Sequence, residues 1–239
     1  MRPDAFITTS WDDGHPLDLR LAELLLRYGL KGTFYVPTNC SEWPLITTSV
    51  RELLGMGMEI GSHTVSHAIL PNATDSLVRY ELTESKKTLE DLAARPITAF
   101  CFPKGRFNAR TCLRVQEAGY RVARTTVAFH TERQFNPACM PVSVQFVPHS
   151  RQIHCRHALK ERNGKGLLFW CHGCGLETNL RKLCLRMLDR VATRGGIFHL
   201  WGHSWEVDRL GLWDELEEVL RVARSMRMTA VTNLELVSR

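Results

Sequence analysis

No run of apolar residues in this 239-residue chain is long enough to cross a bilayer, which excludes a membrane-spanning helix. The opening MRPDAFITTSW has no apolar core of signal-peptide length and passes at once into strand-like sequence, so the expected location is cytoplasmic. There is no basic tract either. The net charge of +6 is spread along the chain, which argues against a nucleic-acid partner and suits an anionic substrate or a membrane-surface approach. Eight cysteines, at 40, 101, 112, 139, 155, 171, 174 and 184, follow no framework spacing, so reduced thiols are expected rather than a disulfide scaffold. Linkers and internal repeats are absent, which leaves one domain over 1–239. With 44% hydrophobic and 23% charged residues, that domain can bury a real core.

What is present is an alternation of strand and helix patterns. AFITTS (5–10) reads as a strand, and the following helix places Leu17, Leu21, Leu24 and Leu25 on one face, with Gly29 as its stop. GTFYVP is a second strand. Ser49-Val50-Arg51-Glu52 has the spacing of a capping box. MEIG, ITAFCFP, YRVART, VSVQFV, GLLFWCHG, GIFHLW and TAVTN are further strand patterns, with helices expected over 75–94, near 109–118, and in LRKLCLRMLDRVATR and GLWDELEEVLRVARSM. Residues 128–165 break the rhythm and read as a loop insertion. Such repeats without a linker indicate an α/β fold, either a barrel or a doubly wound sheet, and in both the chemistry gathers at the C-terminal strand ends. Asp12-Asp13, His63 and His67, Pro103 to Arg106, Cys171 to Cys174, and His203 to Glu206 each follow an expected strand and should face one rim.

Two adjacent carboxylates before Gly14 are either a solvated turn capping the next helix or one side of a cation site. His63-Thr64-Val65-Ser66-His67 spaces two imidazoles four apart, which on a helical turn puts both on one face, close enough to share a metal. Two histidines and one aspartate would leave coordination positions open for water and substrate. Neighbouring strand residues point to opposite sides, so Gly14 is needed to turn both acids into one site. His203, just beyond a strand, suits a general acid, and Glu206 or Asp208 would orient it. His199 reads as a buried strand residue. His130, His149, His154 and His157 fall in the insertion, where solvent-facing histidine is the default. In WCHGC, the CxxC has no second pair at zinc-ribbon spacing, and its thiols read as structural.

SWDDG, HTVSH, FPKG and HLWGH, in this order and after successive strands, resemble the polysaccharide deacetylase family, which includes chitooligosaccharide, chitin and peptidoglycan deacetylases. The resemblance implies a single-domain distorted (β/α) barrel of about seven strands and a divalent metal, usually Zn2+, with Co2+, Ni2+ or Mn2+ as substitutes. It implies Asp12 as catalytic base, Asp13, His63 and His67 as metal ligands, His203 as catalytic acid, and the backbone N–H of Lys104 as oxyanion donor. Pro103, Arg106 and Trp201 would border the substrate. The implied reaction is hydrolytic removal of an N-acetyl group from an amino sugar or oligosaccharide, the substrate being an N-acylated sugar, free or nucleotide- or lipid-linked. Deformylation of a lipid-linked amino sugar and allantoinase-like amide hydrolysis are alternatives on the same fold, and a carbohydrate-binding relative without turnover is a third. Two positions depart from the family pattern. Cys101 stands where an arginine commonly orients the base, leaving Arg106 as its expected replacement. Trp170 to Cys174 stands where an Asp and a Trp commonly support the acid.

Overall fold

In the computed structural model, which describes residues 4–42 and 44–238, β1 (Ala5–Asp12) is buried along nearly its whole length. That is the signature of a central strand in a parallel sheet covered on both faces. It pairs in parallel with β2 (Gly32–Val36) on one side and β7 (Gly196–Gly202) on the other, while β8 (Thr229–Ala230) joins it at Phe6 and Ile7. Beyond β2 come β3 (Glu59–Ser62), β4 (Ala99–Cys101) and β5 (Val122–Arg124); beyond β7 lies β6 (Val144–Gln145). The order β5-β4-β3-β2-β1-β7-β6, parallel throughout, curls into the single-domain distorted barrel that the strand–helix alternation implied. An isolated parallel bridge from Arg124 to Met140 continues the curl past β5.

The helices are α1 (Asp18–Arg27), α2 (Thr47–Gly55), α3 (Asp75–Ala93), α4 (Ala109–Glu117), α5 (Arg151–Lys160), α6 (Gly164–Gly173), α7 (Leu180–Arg194), α8 (Ser204–Arg209), α9 (Trp213–Ser225) and α10 (Asn233–Val237). On α1 the buried face is Leu21, Ala22, Leu24 and Leu25, with Leu17 half-buried just before the first turn. Ser49 does not open α2. The helix starts two residues earlier, at Thr47, and Ser49 is buried inside it. The larger correction concerns 166–173. GLLFWCHG is helical, not extended: Asn163 accepts from Gly166 N–H and starts α6, and Trp170 packs into the core. Residues 128–165 also carry more order than a loop, with α5 and the expected short strand β6 inside them.

Side-chain alternation along the strands separates two environments. Ile7, Trp11, Phe34, Val36, Phe100 and Phe198 point outward into the main core beneath the helices. Phe6, Tyr35, Ala99, Cys101, Val122 and Ile197 form a smaller apolar cluster in the barrel. With that inward set alternate polar groups that pair across the interior: Thr8 Oγ1 donates to Asn233 Oδ1 at 2.8 Å, and Ser10 Oγ meets His199 Nε2 at 2.8 Å. His199 is therefore the buried strand histidine expected, its pKa pushed down to about 3 chiefly by burial. Asn233, at the start of α10, also donates to the Tyr35 hydroxyl at 2.9 Å and so closes the barrel floor. Asn233→Ala strands two buried hydroxyls; unfolding in urea should show a loss of about 2–4 kcal/mol, with the strand-end residues undisturbed.

Candidate active site

β1 stops being a strand at Asp12, and Asp13 takes φ 81°, followed by Gly14 at φ 65°. This break overrides the alternation of the strand and swings Asp13 back toward the side that Asp12 faces. A Cβ on Gly14 would sit 2.9 Å from Val36 Cγ1, so the turn has room only for glycine. Both carboxylates are buried, at 3% and 4% exposure. The pair is no solvated turn.

His63 and His67 follow β3, but not on a helix. Residues 63–69 are irregular backbone, with Thr64 (φ 69°) and His67 (φ 60°) in the left-handed region. That geometry, rather than helical spacing, brings the two rings to 4.8 Å between centroids. Glu81 of α3, which the sequence reading missed, holds the loop: its carboxylate accepts from Val65 N–H at 2.7 Å, Ser66 N–H at 2.9 Å and Ser66 Oγ at 2.6 Å.

The three groups converge. Asp13 Oδ1 lies 3.8 Å from both His63 Nε2 and His67 Nε2, and it is a buried oxygen without a hydrogen-bond partner. An orphaned carboxylate oxygen facing two imidazole nitrogens is what a divalent cation requires. His63 Nδ1 is 2.9 Å from the Cys101 carbonyl, which fixes the proton there and leaves Nε2 free to ligate. Burial lowers the His63 pKa to about 4, keeping the ring in its neutral, ligating form. The other Asp13 oxygen accepts from Trp205 Nε1 at 3.0 Å. Asp12, His63 and Cys101 also lie close together, but burial holds the Cys101 thiol protonated, a poor ligand that instead donates weakly to Asp12 Oδ2 at 3.7 Å.

Asp12 is oriented by an arginine that the sequence reading did not single out. Arg124, wholly buried at the end of β5, donates through Nη2 to Asp12 Oδ1. Its guanidinium also lies over Trp201 at 4.6 Å and Tyr35 at 5.4 Å. The sheet register pairs Cys101 with Arg124, so the cation missing from the end of β4 is supplied by the neighbouring strand. Arg106, the expected replacement, is exposed and does not line the cavity. Burial works to raise the Asp12 pKa, but Arg124, His63 and His203 together hold it below the usual carboxylate range.

Across the site His203 immediately precedes α8. Its Nε2 lies 3.8 Å from Asp13 Oδ2, and its Nδ1 contacts Glu206 Oε2 at 2.5 Å. Burial opposes the imidazolium, but Glu206, Asp12 and Asp13 outweigh it and raise the His203 pKa. Asp208 is engaged elsewhere, accepting from Trp213 Nε1 at 2.9 Å. These groups open onto a cavity of about 320 Å³. Lys104 (φ 54°) and Gly105 border it while Pro103 is buried at the start of their turn, and Trp201 forms part of the opposite wall. The 151–161 segment adds His157, Lys160 and Glu161 to the lining. Of the histidines expected to face solvent, His154 is buried and His130, His149 and His157 are half-buried. Cys171 to Cys174, at the end of α6, does not reach the rim; Trp170 instead donates to the Glu177 carbonyl at 2.9 Å.

Arg124→Met leaves the Asp12 carboxylate buried without its counter-charge and should cost about 3–5 kcal/mol in urea at neutral pH. Arg106→Met should stay within about 0.5 kcal/mol. A carboxyl held below its ordinary pKa stabilises above that range and loses the contribution as pH falls. The gap between wild type and Arg124→Met should therefore narrow on acidification through the carboxylate range.

Comparison with known proteins bears on the family and the fold. The family model described as polysaccharide deacetylase matches residues 2–123, just over half of the chain. The peptidoglycan-N-acetylglucosamine deacetylase of Bacillus cereus is 27% identical over 121 residues, 49% of this chain and 55% of that protein. YxkH of Bacillus subtilis (strain 168), named for the same family, is 27% identical over 123 residues, 50% of this chain and 44% of that protein. The chain thus spans about half the length of these relatives. Among solved structures, the chitin deacetylase of Colletotrichum lindemuthianum superposes with a TM-score of 0.63 at 14% identity, over 98% of this chain and 88% of that one. The cobalt complex of a family 4 acetyl xylan esterase from Clostridium thermocellum does so with 0.62 at 15%, over 98% and 90%. At such identities these superpositions establish the fold, and the family model carries the assignment: this chain belongs to the polysaccharide deacetylase family.

Proposed function

We propose that the chain is a metal-dependent amide hydrolase that removes an N-acetyl group from an amino sugar or oligosaccharide. The observation that carries this reading is the unpartnered Asp13 Oδ1, set between two imidazole nitrogens with an anionic carboxylate on one flank and a protonatable histidine on the other. Asp13, His63 and His67 would hold the ion, Zn2+ by preference and Co2+, Ni2+ or Mn2+ as substitutes. Once bound, it would supply Lewis-acid polarisation of the amide carbonyl and acidify a water.

The chain's own groups divide the proton transfers. Asp12, kept anionic by Arg124, takes the proton of the attacking water. His203, kept protonated by Glu206, gives its proton to the departing amine. The Lys104 backbone N–H at the cavity edge would share the oxyanion's charge, and Trp201 would wall the sugar. Lys104 and Lys160, both exposed on a cavity that Glu42 and Glu161 also line, would be the contacts for a phosphate carried through a nucleotide or lipid link.

Acetate release from N-acetyl sugars should require added divalent ion and stop with chelator. Asp12→Asn should lower kcat by about 10²–10⁴-fold while retaining the metal, whereas His63→Ala should lose the metal itself. Equal turnover by wild type and Asp12→Asn would overturn the mechanism, and release of formate alone would move the substrate to N-formyl sugars. Because Glu206 raises the His203 pKa, activity should fall as pH rises through it. Glu206→Gln should shift that alkaline limb of the kcat profile to lower pH, with the acid limb unchanged.

A further inference from the structure

Away from the site, two thiols meet. Cys112, in the first turn of α4, and Cys139, the last residue of the turn Pro137–Cys139, stand 27 positions apart in sequence, with their Sγ atoms 2.7 Å apart. The two free sulfurs are in direct contact, and a bonded pair needs about 2.0 Å. Cys112 is buried at 9% exposure and Cys139 is half-buried. The pair is thus shielded yet within reach of a small reagent. No other two thiols among the described residues have a contact of this kind.

The segment that carries Cys139 is tied to the base's partner. Met140, the next residue, donates from its N–H to the Ala123 carbonyl at 2.7 Å. Its own carbonyl accepts from Thr125 N–H at 2.8 Å and from Thr125 Oγ1 at 2.9 Å. These bonds bracket Arg124 on both sides. Helix α4, for its part, begins four residues after the Lys104–Gly105 turn, capped by Asn108, which accepts from Thr111 N–H at 2.9 Å. A covalent link between the two thiols would therefore join the segment around Arg124 to the helix that leaves the FPKG turn.

We propose that Cys112 and Cys139 are a reversible disulfide site, closed by exchange with a small-molecule disulfide such as oxidised glutathione, which staples α4 to the segment that holds Arg124. Cys139 is the more exposed of the two, and its hydrogen bond with Cys112 lowers its pKa, so it supplies the thiolate. The Cys139 thiolate attacks one glutathione sulfur, the glutathione S–S bond breaks, and one glutathione thiolate leaves and takes up the proton that Cys139 released. Cys112 then gives up its own proton and displaces the second glutathione from the mixed disulfide. The protein loses two electrons and two protons, and oxidised glutathione becomes two thiols. This changes the expectation drawn from cysteine spacing, which treats all eight thiols alike.

The full chain, equilibrated with oxidised glutathione and quenched by alkylation, tests the site. Expected are an intact mass lower by two hydrogens and, in an unreduced digest, a peptide linking Cys112 to Cys139. The thermal midpoint should rise by about 5–10 °C over the dithiothreitol-treated protein, and Cys139→Ser should show neither the link nor the rise. Full alkylation of both cysteines after oxidation, a glutathione adduct that never closes, or linkage between other cysteines with these two free would each overturn the proposal. If Cys139→Ser does not fold, the wild-type mass and peptide map decide alone.

Discussion

A buried charge pair at the mouth of the barrel, Asp12 with Arg124, is the constraint to which the rest of the interior answers. Taking a carboxylate and a guanidinium out of water costs several kcal/mol for each ion unless their attraction and further polar contacts offset it. The structure offsets that cost through Arg124 Nη2 on Asp12 Oδ1, while Arg124 Nε and Nη1 stay buried without a hydrogen-bond partner among the described residues. Arg124 lies over the rings of Tyr35 and Trp201, and the Cys101 thiol donates toward Asp12 Oδ2. Beneath the pair the inward residues of β1 are Ser10 and Thr8, each bonded across the barrel. A purely apolar interior would have left the pair no polar surroundings and made its burial harder to sustain.

Adjacent in sequence, the two aspartates end in opposite circumstances. Asp12 is saturated, with a full positive charge on one oxygen and a weak donor near the other. Asp13 is left unfinished, with one oxygen held by Trp205 and the other facing two imidazole nitrogens. The difference comes from one backbone torsion, the positive φ at Asp13. An extended Asp13 would point away from Asp12 and out of the site. Strain of about 1–3 kcal/mol in a non-glycine residue at such a φ is tolerated when the surroundings fix it, and the Trp205 bond together with the close fit of Gly14 against Val36 does so here.

Much of this was legible in the sequence because it is local. The strand–helix alternation, the doubled acid before Gly14, the paired histidines and His203 after an apolar strand each declare themselves within a few residues. What escaped depends on register or on distant packing. Arg124 looks like any strand-terminal arginine until the pairing with Cys101 places it beside Asp12, and Glu81 looks like a helix-surface acid until the 63–69 loop folds over it. Two misreadings have local causes. HTVSH reads as helical because spacing alone does not distinguish a helical turn from a left-handed loop. GLLFWCHG reads as a strand because a short apolar run carries no clear period, and the Asn163 cap that opens the helix stands three residues before it.

The family match ends one residue before Arg124 and so divides the proposed site in two. Residues 2–123 hold Asp12, Asp13, His63, His67 and the Lys104 turn, which are the proposed metal ligands, base and oxyanion donor. The remainder supplies Arg124, His203 and Glu206, together with His157, Lys160 and Glu161 on the cavity wall. Binding the proposed ion and activating water would demand fixed donor geometry, and those donors sit in short motifs close to the strand ends. Charge compensation and substrate contact can be met by other side chains from other strands or an inserted helix, as Arg124 beside Cys101 and Glu206 behind His203 illustrate. The segment from Thr126 to Glu161 lines the cavity through Thr126, Gln145, His157, Lys160 and Glu161 and supplies none of the proposed ligands, so its side chains can vary without disturbing them.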